Sequence, residues 1–155
     1  MTRIEHANLV VQNLDATLSF LQIAMPDWQV RGRGKMTWRG RPRQWLHFGN
    51  AEDYITLNDG AVGDNRDLEG DSPGLAHLGF VVPDLTALHQ RLQSAGYQVD
   101  IEGPEHPFRR NLYYLDPAGF QFEFVEYLSR RDDERNSYDR DTGSQPRRPA
   151  RTGEG

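Results

Sequence analysis

Residues 75–85 read LAHLGFVVPDL, and residues 4–14 read IEHANLVVQNL. A shift of 71 positions lays His6 on His77, Val10 and Val11 on Val81 and Val82, and Leu14 on Leu85. The match runs on through Leu21 on Leu92 and Ala24 on Ala95. A strand-then-helix pattern repeated at a fixed offset signals two copies of one structural module. Each copy places a histidine at the start of its first strand.

Working outward, residues 4–11 alternate and end in an apolar pair, as a strand does. Asn13 or Asp15 can cap the helix that follows, because a short polar side chain accepts free backbone N–H groups there. Leu14, Leu18, Leu21 and Met25 recur at helical spacing, and Pro26 ends the pattern. Residues 28–38 predict a second strand, with Gly32 and Gly34 marking a bend or bulge. Arg39-Gly40-Arg41-Pro42 is a turn, and residues 44–48 and 54–57 complete a βαβββ module. Residues 59–73 are rich in Gly, Asp and Asn and form the linker. The second copy predicts a strand at 75–82, an Asp84-capped helix at 85–95 stopped by Gly96, and strands at 97–101, 112–115 and 120–127. The expected fold class is α+β: two βαβββ modules, residues 4–58 and 74–128, forming a curved mixed sheet around a cavity within a domain of residues 1–128.

From residue 129 the pattern changes. The segment 129–155 mixes seven Arg with six acids and shows no apolar periodicity. Such a stretch buries too little surface to offset its ordering entropy, so disorder or a loosely docked arm is expected.

The totals bound the function. The formal charge of −5 on 155 residues weighs against a nucleic-acid partner. The absence of Cys removes disulfides, thiolate ligands and Cys nucleophiles together. No apolar run approaches the roughly 20 residues that cross a bilayer. The N-terminus lacks a signal-peptide layout, so no membrane partner and a cytoplasmic location are expected.

Strand parity decides which side chains share a face. His6, Asn8 and Val10 share one face of the first strand, and His77, Gly79 and Val81 share one in the second copy. Leu78, Phe80 and Val82 form an apolar face that should receive the helix, so both histidines lie on the cavity side. In the last strand Phe120, Phe122 and Phe124 take the helix side. Glu123 takes the cavity side, and Glu126 falls with the phenylalanines. Two imidazoles and a carboxylate suit a divalent cation: Fe(II) with open positions, or Zn, Mn, Co or Ni. His6, His77 and Glu123 are the expected metal ligands.

Two motifs carry a family resemblance: HLGFVVPDL at residues 77–85 and YYLDPAGFQFEF at residues 113–124. With the paired modules, they make the chain resemble the vicinal oxygen chelate superfamily over residues 4–127. That superfamily includes glyoxalase I, bleomycin resistance proteins, fosfomycin resistance proteins and extradiol dioxygenases. Asp116, Pro117, Gly119 and Glu123 match its DPxGxxxE signature, whose Glu is a metal ligand. The resemblance implies a small-molecule substrate bound through adjacent oxygens, and a homodimer in which the modules building one cavity come from one chain or from two. It also implies a fourth position, which falls on Thr56. Glyoxalase I has a carboxylate there, and a threonine cannot replace it as a base. The neutral residue is closer to the extradiol dioxygenase or fosfomycin-transferase pattern, although ring-cleaving enzymes are usually longer and no Lys-rich loop is present.

Other groups have two readings each. Parity puts Arg43, Trp45 and His47 on the cavity face, with Tyr114 equivalent to His47. His47 is a candidate general base or a partly buried histidine of an aromatic sheet. Trp45, Tyr54 and Tyr114 wall a pocket for a flat or apolar substrate, or belong to the core. Arg109 and Arg110 clamp a carboxylate or phosphate, or form a solvated pair. His89 falls at a solvated helix position and is given no role. The rival to a glyoxalase-like or dioxygenase-like enzyme is a metal-free binding protein of the bleomycin resistance type, which holds a cationic drug in an acidic groove.

Overall fold

The structure, a computed structural model, describes residues 1–138 and 148–149. The chain divides into two compact units, Met1–Asn65 and Arg66–Gly155. The first unit contains β1 (His6–Val10), α1 (Leu14–Ala24), β2 (Gln29–Trp38), β3 (Arg41–Gly49) and β4 (Tyr54–Asn58). The second contains β5 (Leu78–Val81), α2 (Leu85–Ser94), β6 (Val99–Glu102), β7 (Arg109–Leu115), β8 (Gln121–Tyr127) and α3 (Asp132–Arg135). Each unit builds one four-stranded mixed sheet, ordered β1-β4-β3-β2 and β5-β8-β7-β6. In both, the first strand pairs parallel with the last and the other pairs are antiparallel. The repeat in sequence is a repeat in topology.

In the first unit Asn13 Oδ1 accepts the Ala16 N–H at 3.1 Å and starts α1. The helix then buries Leu18, Phe20, Leu21 and Ala24 on the side of the sheet that carries Leu9, Leu46, Phe48, Ile55 and Leu57. Each large apolar side chain so buried contributes about 1.5–3 kcal/mol. The β2–β3 hairpin turns through Arg39 (φ 48°) and Gly40 (φ 75°). Positive φ at both central residues matches the right-handed strand twist. A register slip between Val30 and Gly32 provides the expected bulge.

In the second unit Asp84 caps α2 through the Ala87 N–H at 2.9 Å, and Gly96 (φ 90°) follows its end. Leu85, Leu88 and Leu92 of the helix and Tyr114, Phe122 and Phe124 of the sheet are buried. Asp116 Oδ1 accepts the N–H groups of Ala118 (3.1 Å) and Phe120 (2.8 Å), while Gly119 adopts φ 82°. That hydrogen-bonded turn launches β8 and fixes its register. β5 begins one residue after His77, and β7 is longer than the sequence predicts because it extends back to Arg109.

In the polar C-terminal segment, residues 129–138 form an arm that touches β7 and β8. Arg109 Nη1 donates to the Ser137 carbonyl at 3.2 Å, and His106 Nε2 meets the same oxygen at 3.1 Å. The Arg135 guanidinium lies 4.3 Å from the Tyr127 ring centroid. Residues 139–147 and 150–155 lie outside the described residues, so the expectation for them is left where it stood.

Candidate active site

Alternation sends one set of side chains in the first unit to the face opposite α1. His6, Asn8 and Val10 (β1), Met36 and Trp38 (β2), Arg43, Trp45 and His47 (β3) and Tyr54, Thr56 and Asn58 (β4) line a cleft of about 670 Å³ there. Four rings form a row. His6 stacks on Tyr54 (4.8 Å, 14°), Tyr54 meets His47 (4.6 Å), and His47 meets Trp45 (4.8 Å). The Arg31 guanidinium lies 4.4 Å from the Tyr54 centroid. His6 Nδ1 stands 3.0 Å from Glu5 Oε2, a pairing that orients an imidazole to ligate through Nε2. Thr56 lies in register with Asn8 on one side and His47 on the other. His47 is held below the ordinary imidazole pKa, first by burial, then by the charges of Arg31 and His6, with Glu5 opposing. It is therefore neutral near pH 7 and able to accept a proton.

In the second unit Glu123 stands on the face opposite α2, held on both carboxylate oxygens. Its Oε1 accepts the Asn111 amide (2.7 Å) and the Tyr113 hydroxyl (2.9 Å). Its Oε2 stands 3.3 Å from His77 Nε2. Burial and the neighbouring Glu123 charge push the Tyr113 pKa up, so the phenol stays protonated and donates. Gly103 makes this arrangement possible, because a Cβ built there would overlap the Asn111 amide. Gly79 is in register with Glu123, and a Cβ there would stand 3.5 Å from Oε2, an ordinary contact.

These side chains fit a divalent cation. Two ligands each ~2.0–2.2 Å from one ion stand roughly 3–3.5 Å apart, and the His77–Glu123 separation falls in that range. A carboxylate with one oxygen tied by two donors and the other turned to an imidazole is a pre-oriented ligand. The structure brings His77 and Glu123 together within the second unit, and His6 belongs to the first. Among the described residues, no three His, Asp or Glu side chains gather as a metal-binding group.

Several other expectations change. Tyr114 does not line the cavity. It is fully buried on the helix side, in register with Phe122, and its hydroxyl meets His89 Nδ1 at 2.6 Å. Burial pushes its pKa up to about 12. His89 is thus half-buried rather than solvated. Tyr113 holds the position equivalent to His47, since Tyr113 pairs with Glu123 as His47 pairs with Thr56. The signal was present: counting back through the Asp116–Gly119 turn sets Tyr113 opposite Glu123. Arg110 pairs with Glu126, whose Oε2 also accepts the Leu85 N–H at 2.9 Å. Arg110 is therefore not a free anion clamp. Arg109 shares the Asn111 and Tyr113 face, but anchors the C-terminal arm. Asn111 and Gly103 were not anticipated, because neither type announces itself as a ligand's support.

Comparison with known proteins agrees with this architecture. The family model of the Glyoxalase/Bleomycin resistance protein/Dioxygenase superfamily matches residues 3–124. The chain belongs to that superfamily. Among solved structures, a glyoxalase/bleomycin resistance protein/dioxygenase domain from Frankia sp. EAN1pec superposes with TM-score 0.66 at 24% identity, over 88% of this chain and 99% of that one. A glyoxalase family protein from Bacillus cereus gives TM-score 0.68 at 18% identity, over 83% and 96%. The fosfomycin resistance protein FosX from Listeria monocytogenes, complexed with Mn(II) and sulfate, gives 0.61 at 19% identity, over 88% and 99%. At these identities the likeness is one of fold. No curated protein matches the chain.

Proposed function

We propose that this chain is a metal-dependent enzyme of the vicinal oxygen chelate superfamily, glyoxalase-like or dioxygenase-like, acting on a small substrate with adjacent oxygens. His77 and Glu123 hold the cation, and His6 is the third ligand. The observation that carries this reading is the restrained Glu123 carboxylate, with Oε1 tied to Asn111 and Tyr113 and Oε2 facing His77. The Mn(II) in FosX supports a divalent ion on this scaffold. A bound divalent cation supplies Lewis acidity to substrate oxygens.

The chain's own residues do the rest. The cleft of the first unit binds and orients the substrate against the row of rings that Trp45, His47 and Tyr54 form. Thr56 offers a hydroxyl but no base. His47, neutral and in register with Thr56, accepts a proton from the substrate. The binding-protein alternative has less support, because among the described residues no Asp or Glu lines this cleft to receive a cationic drug. A homodimer is part of the proposal, and light scattering on the purified protein tests it.

The test of function is titration of metal-free protein with Fe(II), Mn(II), Zn(II), Ni(II) and Co(II), followed by turnover assays with and without O₂. Uptake of one ion per chain, lost in Glu123→Gln, is expected. Oxygen-dependent turnover of a catechol assigns the dioxygenase-like class, and oxygen-independent turnover of a hemithioacetal the glyoxalase-like class. Refusal of all five ions overturns the proposal.

A further inference from the structure

Trp45 lies flat against the backbone of β2. A Cβ built on Gly34 would stand 3.0 Å from the indole Cζ2 and 3.2 Å from Cε2 and Nε1; one on Gly32 would stand 3.9 Å from Cη2 and Cζ3. Neither glycine has positive φ. The backbone would therefore accept a side chain at both positions; the ring crowds one at Gly34, whereas a Cβ at Gly32 would meet it in ordinary contact. Two bare positions on one face of an edge strand make a shelf. With one side of the indole on that shelf, the half-exposed ring also lines the cleft.

The surroundings specify the chemistry. Val10, Met36 and Trp38 keep 44%, 39% and 57% of their surface exposed around this face. Arg43 reaches the cleft wall, where its Nη1 donates to the Asp59 carbonyl at 2.6 Å and fixes the guanidinium. Among the described residues the ionisable lining is Arg43, His6, His47 and Tyr54, with no carboxylate in the wall itself; Glu5 pairs with His6 behind it and Asp59 lies beside Arg43. A flat apolar surface favours a flat ring, and a fixed guanidinium in a wall that carries no carboxylate of its own favours an anionic oxygen.

We propose that the cleft of the first unit binds a planar aromatic anion, with its ring on Trp45 and its anionic oxygen toward Arg43. The inference rests on reading this cleft as the substrate side of the site, and it names the substrate class.

The test is calorimetric titration of the full chain, metal-free and metal-loaded, with three probes: 2-naphthoate, the non-planar decalin-2-carboxylate and the cationic 2-naphthylmethylammonium. The naphthoate should bind about tenfold or more tighter than either comparator. Trp45→Leu and Gly34→Ala should each weaken naphthoate about tenfold, the second by displacing the indole from its shelf. Arg33→Ala, in register with Leu46 on the opposite face, should leave binding unchanged. Circular dichroism checks that each variant is folded, and Trp45→Phe replaces Trp45→Leu should the latter unfold. Equal binding of the three probes, no binding by wild type, or indifference to both Trp45 and Gly34 changes overturns the inference. A protein that takes up metal without ring selectivity defeats this inference alone. One that refuses metal yet selects naphthoate defeats only the metal reading.

Discussion

The Tyr113 hydroxyl donates to Glu123 Oε1 at 2.9 Å, and the two residues are register partners across β7 and β8. The next residue, Tyr114, points to the other side of the sheet and is wholly buried beneath α2. Two adjacent tyrosines thus have separable roles. Tyr113→Phe should weaken cation binding by about 10-fold, with little loss of stability, because it removes one of the two donors that orient the Glu123 carboxylate. Tyr114→Phe should leave cation affinity unchanged and cost about 1 kcal/mol, the worth of its bond to His89. Calorimetric titration and urea unfolding of the two variants read both effects.

Gly103 supports the same carboxylate from further away. Gly103→Ala should push the Asn111 amide off Glu123, lowering cation affinity by about 10-fold. Asn111→Ala should do the same, and the double variant should be no worse than either single one. Additive losses in that cycle would mean that Gly103 acts on something other than Asn111.

His47 makes stability depend on pH. Its folded pKa is lowered, chiefly by burial and then by Arg31 and His6, with Glu5 opposing and the Tyr54 ring packed against it. As pH falls below the unfolded value of about 6.5, the unfolded chain binds the proton first, so stability is lost until the folded imidazole also titrates. It is fully retained above that value. Urea midpoints at pH 8 and pH 5 should therefore fall further for wild type than for His47→Gln. Parallel losses in the two proteins would remove His47 as the cause.

The C-terminal arm is tied to the second unit through Arg109 and His106. The Phe108 N–H donates to His106 Nδ1 at 3.1 Å, so Nε2 carries the proton that reaches the Ser137 carbonyl. Arg109→Ala removes a contact to that oxygen and the cation–π contact with Tyr138. Trypsin should then cut after Arg131 and Arg135 several-fold faster than in wild type, with the thermal midpoint of the domain little changed.

Most of the scaffold was legible because simple periodicities carry it. Asn13 and Asp84 stand where a helix start needs an acceptor. Alternation along residues 4–11, 44–48 and 54–57 separates the cleft side chains from those beneath α1. Glu123 was legible because the Asp116 turn sets the parity of β8. Tyr114 was misplaced because the last hairpins differ in length by one residue: Glu123 follows Thr56 by 67 residues, while Tyr113, its register partner, follows His47 by 66. A fixed offset therefore fails at β7, and hairpin register succeeds. The supports of Glu123 were not legible, because the contact of Gly103 with Asn111 is a matter of tertiary packing. The contacts of the arm at residues 129–138 were not legible for a related reason. They are Arg side chains meeting carbonyls and rings, which composition reads as a solvated polar tail.

The central claim is that His77 and Glu123 hold a divalent cation. Its most direct test is the metal content, by mass spectrometry, of tagless protein purified without chelator, beside His77→Ala. About one equivalent of Fe, Mn, Zn, Ni or Co per chain in wild type, and little in the variant, is the expected result. Metal-free wild type that also refuses added metal, or a His77→Ala protein that keeps its ion, would contradict it.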